Sequence, residues 1–129
     1  MSAFAQLSLF DALRSPPIKR HVKPHGDVVQ GEPHEVLLLP HPRWAFPRCR
    51  IELHPHCDST WMWSVSIASD DGTGTSYRVG EKWGNFAVTR DDALHYALKE
   101  LETKLAGWAS PCKSIPKIRE WARSLMQDA

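Results

Sequence analysis

Between positions 48 and 79 apolar and polar residues alternate, and from position 89 onward the apolar residues recur every three or four. The first period belongs to strands with one buried side and the second to amphipathic helices. In 48–54, Cys49, Ile51 and Leu53 alternate with Arg48, Arg50, Glu52 and His54. In 60–67, Trp61, Trp63, Val65 and Ile67 alternate with Thr60, Met62, Ser64 and Ser66. Both stretches predict half-buried strands. Asp70, Asp71 and Gly72 supply a reversing turn, after which Tyr77 and Val79 alternate with Ser76 and Arg78, so an antiparallel meander is expected. Upstream, the short apolar run 36–39 stopped by Pro40 reads as a first or edge strand. Downstream, 80–85 reads as a loop or bulge before a short strand through Phe86 and Val88.

The helical period begins at Thr89, a good N-cap, with Asp91 and Asp92 placing negative charge at the positive end of the helix dipole. Leu94, Leu98, Leu101 and Leu105 form one apolar stripe, and Gly107 is well placed to end the helix. A second amphipathic helix is expected over 114–129, with a proline in its first turn and Ile118, Trp121, Ala122 and Leu125 at helical spacing. The expected fold is α+β: an antiparallel four- to five-stranded meander followed by two amphipathic helices, with a flexible N-terminal arm. In outline this is similar to the partial RNase-H-like fold of small antitoxins and to small single-strand binding folds, a likeness that does not set function.

At 129 residues the chain fits one domain, assigned to 36–129, with 1–35 as an arm. A net charge of +1 gives the whole molecule no strong field toward nucleic acid or an anionic membrane, so any such attraction is local. Cys49, Cys57 and Cys112 are odd in number and lack a CxxC pair, which speaks against a disulfide framework and for a reducing cytoplasm. No leader-like run and no membrane-length apolar window appear, so a soluble cytoplasmic protein without a membrane partner is expected.

His54, His56, Cys57 and Asp58 crowd metal-ligand types into five residues, but no second half completes a tetrahedron, and a polar strand end is the expectation. There is no GxSxG elbow, and Asp70 with Asp71 and Asp91 with Asp92 are explained by a turn and a helix start. No catalytic residue, metal or cofactor is assigned, and the chain is expected not to be an enzyme. Its oligomeric state stays open.

The most specific chemical signal is Gln6, Leu7, Ser8, Leu9 and Phe10. This stretch resembles the bacterial sliding-clamp binding motif, glutamine, leucine, serine or aspartate, leucine, phenylalanine, at all five positions. Average residue usage gives such a match by chance in on the order of one chain of this size in several thousand. The resemblance implies that Leu9 and Phe10 enter a hydrophobic pocket on the clamp, Leu7 covers its rim and Gln6 hydrogen-bonds beside it. An alternative is an amphipathic N-terminal helix using Phe4, Leu7 and Leu13, cut short by Pro16 and Pro17. Clamp-binding segments share a dock and not a chemistry, and the chain lacks the GxxxxGK[ST] phosphate loop of the ATP-binding clamp-associated regulator.

Residues 14–35 mix Pro, Gly and charge with neither hydrophobic period and read as a linker. Arg14, Lys19, Arg20 and Lys23 fall there with no acid before Gly26, making it the most basic stretch. Farther on, Arg43, Trp44, Phe46, Arg48 and Arg50 interleave cation and aromatic, the pairing that stacks bases and holds phosphates. Lys19, Arg20, Lys23, Arg43, Trp44, Arg48 and Arg50 are therefore the candidate nucleic-acid contacts, with DNA as a further candidate partner. The leading expectation is a non-enzymatic adaptor or regulator that binds the bacterial sliding clamp and acts in DNA replication, repair or mobile-element maintenance. A nucleic-acid-binding module and a small antitoxin-like or antagonist-like protein binder are the alternatives.

Overall fold

Cys49, Ile51 and Leu53 have no exposed surface and Trp63, Val65 and Ile67 very little, so the two alternating stretches form the middle of the fold. The computed structural model describes residues 16–20, 22, 26–43, 45–68, 74–108 and 114–128. In chain order its strands are β1 (Ile18–Lys19), β2 (Glu35–Leu39), β3 (Cys49–Pro55), β4 (Trp61–Ala68), β5 (Gly74–Thr75) and β6 (Asn85–Ala87). β2, β3 and β4 run as an antiparallel meander. The far side of β4 is shared: β6 pairs with Trp61 and Met62 at one end, and the two-residue β5 pairs with Ile67 and Ala68 at the other. β1 adds to the outer side of β6, so the order across the sheet is β1, β6, β4, β3, β2.

Two helices complete the α+β fold that the change of period predicts. The hydroxyl of Thr89 accepts the Asp92 N–H at 3.1 Å and starts α1 (Arg90–Ala106). Leu94, Leu98, Leu101 and Leu105 are all buried, in one core with Cys49, Ile51, Leu53, Trp63, Val65 and Ile67. Gly107 ends the helix with right-handed backbone, φ −85°, its N–H donating to the Thr103 carbonyl at 3.1 Å. α2 (Ser114–Asp128) brings Ile118 and Ala122 into the same core, and Arg119 Nε lies 3.6 Å from the Glu102 carboxylate on α1. Glu35 on β2 is ion-paired with Arg90 at the start of α1, tying the sheet edge to the helix; this holds the Glu35 carboxyl below its ordinary value.

The sheet's other face departs from the half-buried expectation. Alternation leaves it polar, yet Glu52, Met62 and Ser64 are buried there. Glu52 is satisfied on both oxygens: Oε1 accepts the Ser64 hydroxyl at 3.0 Å and the Val79 N–H at 2.9 Å, and Oε2 accepts Arg50 Nε at 3.0 Å and Nη2 at 2.8 Å. Tyr77 and Val79, expected in a strand, instead lie in irregular chain covering this face. The reason is that β5 and β6 occupy only the two ends of β4, and side chains tie down the residues between them. Tyr77 N–H donates to Ser66 Oγ at 3.3 Å. The Tyr77 hydroxyl donates to Glu100 on α1 at 2.7 Å and accepts Asn85 Nδ2–H at 3.1 Å; burial and the Glu100 charge push its phenol well above the ordinary range.

Part of the stretch read as linker also lies here. Ile18 and Val29 pack on Met62, Val79 and Phe86 in a second small core. Val29 N–H donates to the Val79 carbonyl at 2.8 Å, and Lys82 N–H to the Asp27 carbonyl at 3.2 Å. Two glycines permit this crossing: a Cβ at Gly80 would meet Val28 and the Asp27 carbonyl, and one at Gly84, whose φ is +73°, would meet the Arg20 carbonyl. The turn expected at Asp70, Asp71 and Gly72 falls outside the described residues.

Candidate functional site

Gln6, Leu7, Ser8, Leu9 and Phe10 lie outside the described residues, as do Lys23 and Trp44. The description begins at exposed Pro16, two residues before β1 on the sheet's outer edge. Lys19 is described only as backbone, paired with Asn85.

Arg20 leaves β1 over the ring of Phe86, its guanidinium carbon 3.9 Å from the centroid, and ion-pairs with Asp58 in the β3–β4 turn. Asp58 is the acceptor around which this turn closes. It takes the Thr60 hydroxyl, the Thr60 N–H at 3.2 Å and His56 Nδ1 at 3.1 Å. The Thr60 hydroxyl first, then Arg20, hold its carboxyl well below the usual carboxylate range. His56 packs its ring edge-on to Phe86 at 5.2 Å, and its Nε2 lies 3.7 Å from Glu81. His54 Nδ1 accepts the His34 N–H at 3.0 Å, and burial followed by the His34 charge lowers its imidazole from the ordinary 6.5. The four ligand-type residues 54, 56, 57 and 58 therefore have partners of their own, and Cys57 Sγ sits 3.7 Å from His56 Nδ1. Among the described residues no three His, Cys, Asp or Glu side chains converge as a metal site. The other described cysteine, Cys49, is a core residue whose thiol burial pushes up to about 12, which leaves it no nucleophilic thiolate near neutral pH.

The interleaved stretch from Arg43 to Arg50 divides between two places. Arg50 is clamped to Glu52 and lines, with Phe46, Ser66 and Thr75, a shallow groove of about 390 Å³. Arg48, only 9% exposed, lines a second groove of about 460 Å³ between the end of β2 and α2, with Pro40, Pro42, Lys117, Glu120 and Trp121. Arg43 is exposed, its N–H donating to His41 Nδ1 at 3.0 Å. Sequence reasoning missed Lys117 and Trp121 as neighbours of Arg48: Trp121 was counted in the apolar stripe of α2, and nothing local links 117–121 to position 48. The two grooves thus set cations beside aromatics, Arg50 with Phe46 in one and Arg48 and Lys117 with Trp121 in the other.

Trp83 is explained by packing, its indole donating to the Arg78 carbonyl at 2.8 Å and its ring edge-on to Tyr77. Among the described residues no helix is long and apolar enough to cross a membrane. These features define a small α+β domain with grooved surfaces. No protein-family model, curated protein or solved structure matches the chain.

Proposed function

We propose that this protein docks on the bacterial sliding clamp through Gln6, Leu7, Ser8, Leu9 and Phe10, and acts there as a non-enzymatic cytoplasmic adaptor or regulator in DNA replication, repair or mobile-element maintenance. The match at all five positions of the clamp-binding motif carries the reading. It is supported by the place of the motif, whose last residue stands six positions ahead of Pro16, a separation that spans at most about 20 Å. Leu9 and Phe10 each contribute roughly 1.5–3 kcal/mol on burial, offset by the ordering of the peptide, which leads to affinity in the micromolar range.

Calorimetry with purified clamp tests it. Wild type binds at about micromolar dissociation constant, and the Leu9→Ala, Phe10→Ala double variant binds at least about a hundredfold more weakly. Equal binding by the two proteins sinks the proposal. Repeating the titration on clamp loaded onto DNA tests the accompanying contact through the basic stretch: affinity rises and the gain fades steeply with salt. An unchanged affinity removes DNA as a partner.

A further inference from the structure

We propose that the outer edge of β2 pairs antiparallel with the same edge of a second copy of this chain, joining two sheets across a two-fold axis at Leu37. This goes beyond the clamp-docking reading and does not depend on it. The backbone ladder sets which groups are open. Ala68 N–H donates to the Arg48 carbonyl at 3.0 Å and His56 N–H to the Thr60 carbonyl at 2.7 Å, both in the β3–β4 register. Even-numbered residues of β3 therefore turn their backbone groups toward β4, and odd-numbered ones turn theirs toward β2. Glu35, Leu37 and Leu39, the β2 partners of Leu53, Ile51 and Cys49, consequently face β3. The N–H and C=O of Val36 and Leu38 point outward.

Among the described residues no strand pairs with this edge. The contrast with the other short strands is informative. β1 and β5 have two residues each, and Pro16 and Pro17 precede β1. β2 has five residues, Val36, Leu37, Leu38 and Leu39 carry no charge, and Pro33 and Pro40 stand only outside it. Leu38 is 48% exposed, and among the described residues it is the one large apolar side chain within a strand that is so exposed. Proteins blunt long apolar edges with lysine, proline or a bulge unless the edge is used.

The identity of the occupant follows from self-complementarity. Antiparallel pairing about Leu37 sets Val36 of one copy opposite Leu38 of the other, twice, so every open N–H meets an open C=O. Moving the two-fold axis toward Val36 sets Leu38 against His34, whose N–H is already given to His54. Moving it toward Leu38 sets Val36 against Pro40, which has no N–H. Charge agrees with this geometry. Exposed Glu32 precedes β2 and exposed Arg43 follows it, so antiparallel addition brings Glu32 of each copy toward Arg43 of the other. Parallel addition would set like charges together.

The test uses the full chain with Cys49→Ala, Cys57→Ser and Cys112→Ser, because Cys49 stands opposite Leu39 within the chain and would otherwise pair with a thiol introduced there. The axis places Leu37 against itself in a non-hydrogen-bonded pair, about 4.5 Å between Cα atoms, close enough for a disulfide. Under mild oxidation Leu37→Cys gives a covalent dimer of about twice 14.6 kDa, and Leu39→Cys, which faces Glu35 of the other copy, gives none. In sedimentation velocity the wild-type mass rises toward the dimer with concentration, and both Val36→Pro and Leu38→Lys return it to one chain with unchanged far-UV circular dichroism. A dimer that survives both variants, or Leu39→Cys cross-linking as readily as Leu37→Cys, overturns the proposal. A wild type that stays monomeric at every attainable concentration overturns it as well; exchange-protected Val36 and Leu38 amides in that monomer would assign the edge to the chain's own 1–15 segment.

Discussion

One face of the sheet is covered by a helix and the other by irregular chain, and the two covers are held by different forces. On the helix face Leu94, Leu98, Leu101 and Leu105 share one apolar core with Ile51, Leu53 and Val65, and Glu100 adds hydrogen bonds to the Trp63 indole and the Tyr77 hydroxyl. Burial there stabilises by roughly 1.5–3 kcal/mol per large side chain and has little directional demand. On the opposite face the cover is loop, whose backbone N–H and C=O groups must each be satisfied. Glu52 is the answer: a buried carboxylate that takes Val79 N–H from the loop and Ser64 and Arg50 from the sheet. A greasy cover tolerates small shifts, whereas a hydrogen-bonded cover depends on single atoms.

That contrast is open to direct attack. The largest effect is expected from Glu52→Ala, which removes the common acceptor and costs about 3–5 kcal/mol in chemical denaturation. Exchange of the Val29 and Val79 amides should rise ahead of global unfolding. Leu98→Ala, at roughly 2–5 kcal/mol, should instead lower the protection of the whole domain together. A Glu52→Ala cost below about 1 kcal/mol would mean that the loop is merely draped on the sheet.

Gly84→Ala comes next. Its Cβ meets the Arg20 carbonyl at a position with φ +73°, and a loss of about 1–3 kcal/mol is expected. The accompanying loss of nuclear Overhauser contacts between Ile18 and Phe86 would show β1 leaving the sheet. Retention of those contacts at wild-type stability would show that the crossing needs no glycine.

The smallest effect is pH-dependent. His54 has its imidazole lowered from 6.5, so near that pH the unfolded chain binds more protons than the folded one. Its stabilising contribution is complete above 6.5 and is lost as pH falls, because only neutral Nδ1 accepts the His34 N–H. An NMR titration should place its midpoint below 6.5, and His54→Gln should make the acid-side decline of the melting temperature shallower. A midpoint at or above 6.5 would separate His54 from the hydrogen-bonded face.

The helix face was readable in advance because its information is local. The alternation of Cys49, Ile51 and Leu53, the Thr89 cap and the leucine stripe each declare themselves within a few residues, and all three appear in the structure. The second face was not readable. Glu52 in an alternating strand has the pattern of a solvent-facing residue, and beyond neighbouring Arg50 its partners stand 12 and 27 positions away. Ile18 and the pair Val28 and Val29 stand among prolines and charges, with no period to reveal the packing of Ile18 and Val29 on Phe86 and Val79. Arg48 and Arg50 looked equivalent in an alternating run, yet the fold buries one beside α2 and ties the other to Glu52.

From its sequence alone this protein has an α+β plan, a strand meander, two helix positions and the five-residue peptide Gln6 to Phe10, all of them properties of neighbouring residues. The tertiary structure alone decided that the second face is closed, that a buried glutamate closes it, and that among the described residues β2 is a five-residue edge with the backbone groups of Val36 and Leu38 turned outward. The physical reason is range: periodicity and capping act over one or two turns of chain, whereas a hydrogen bond from Val79 to Glu52 exists only after the sheet has brought them together.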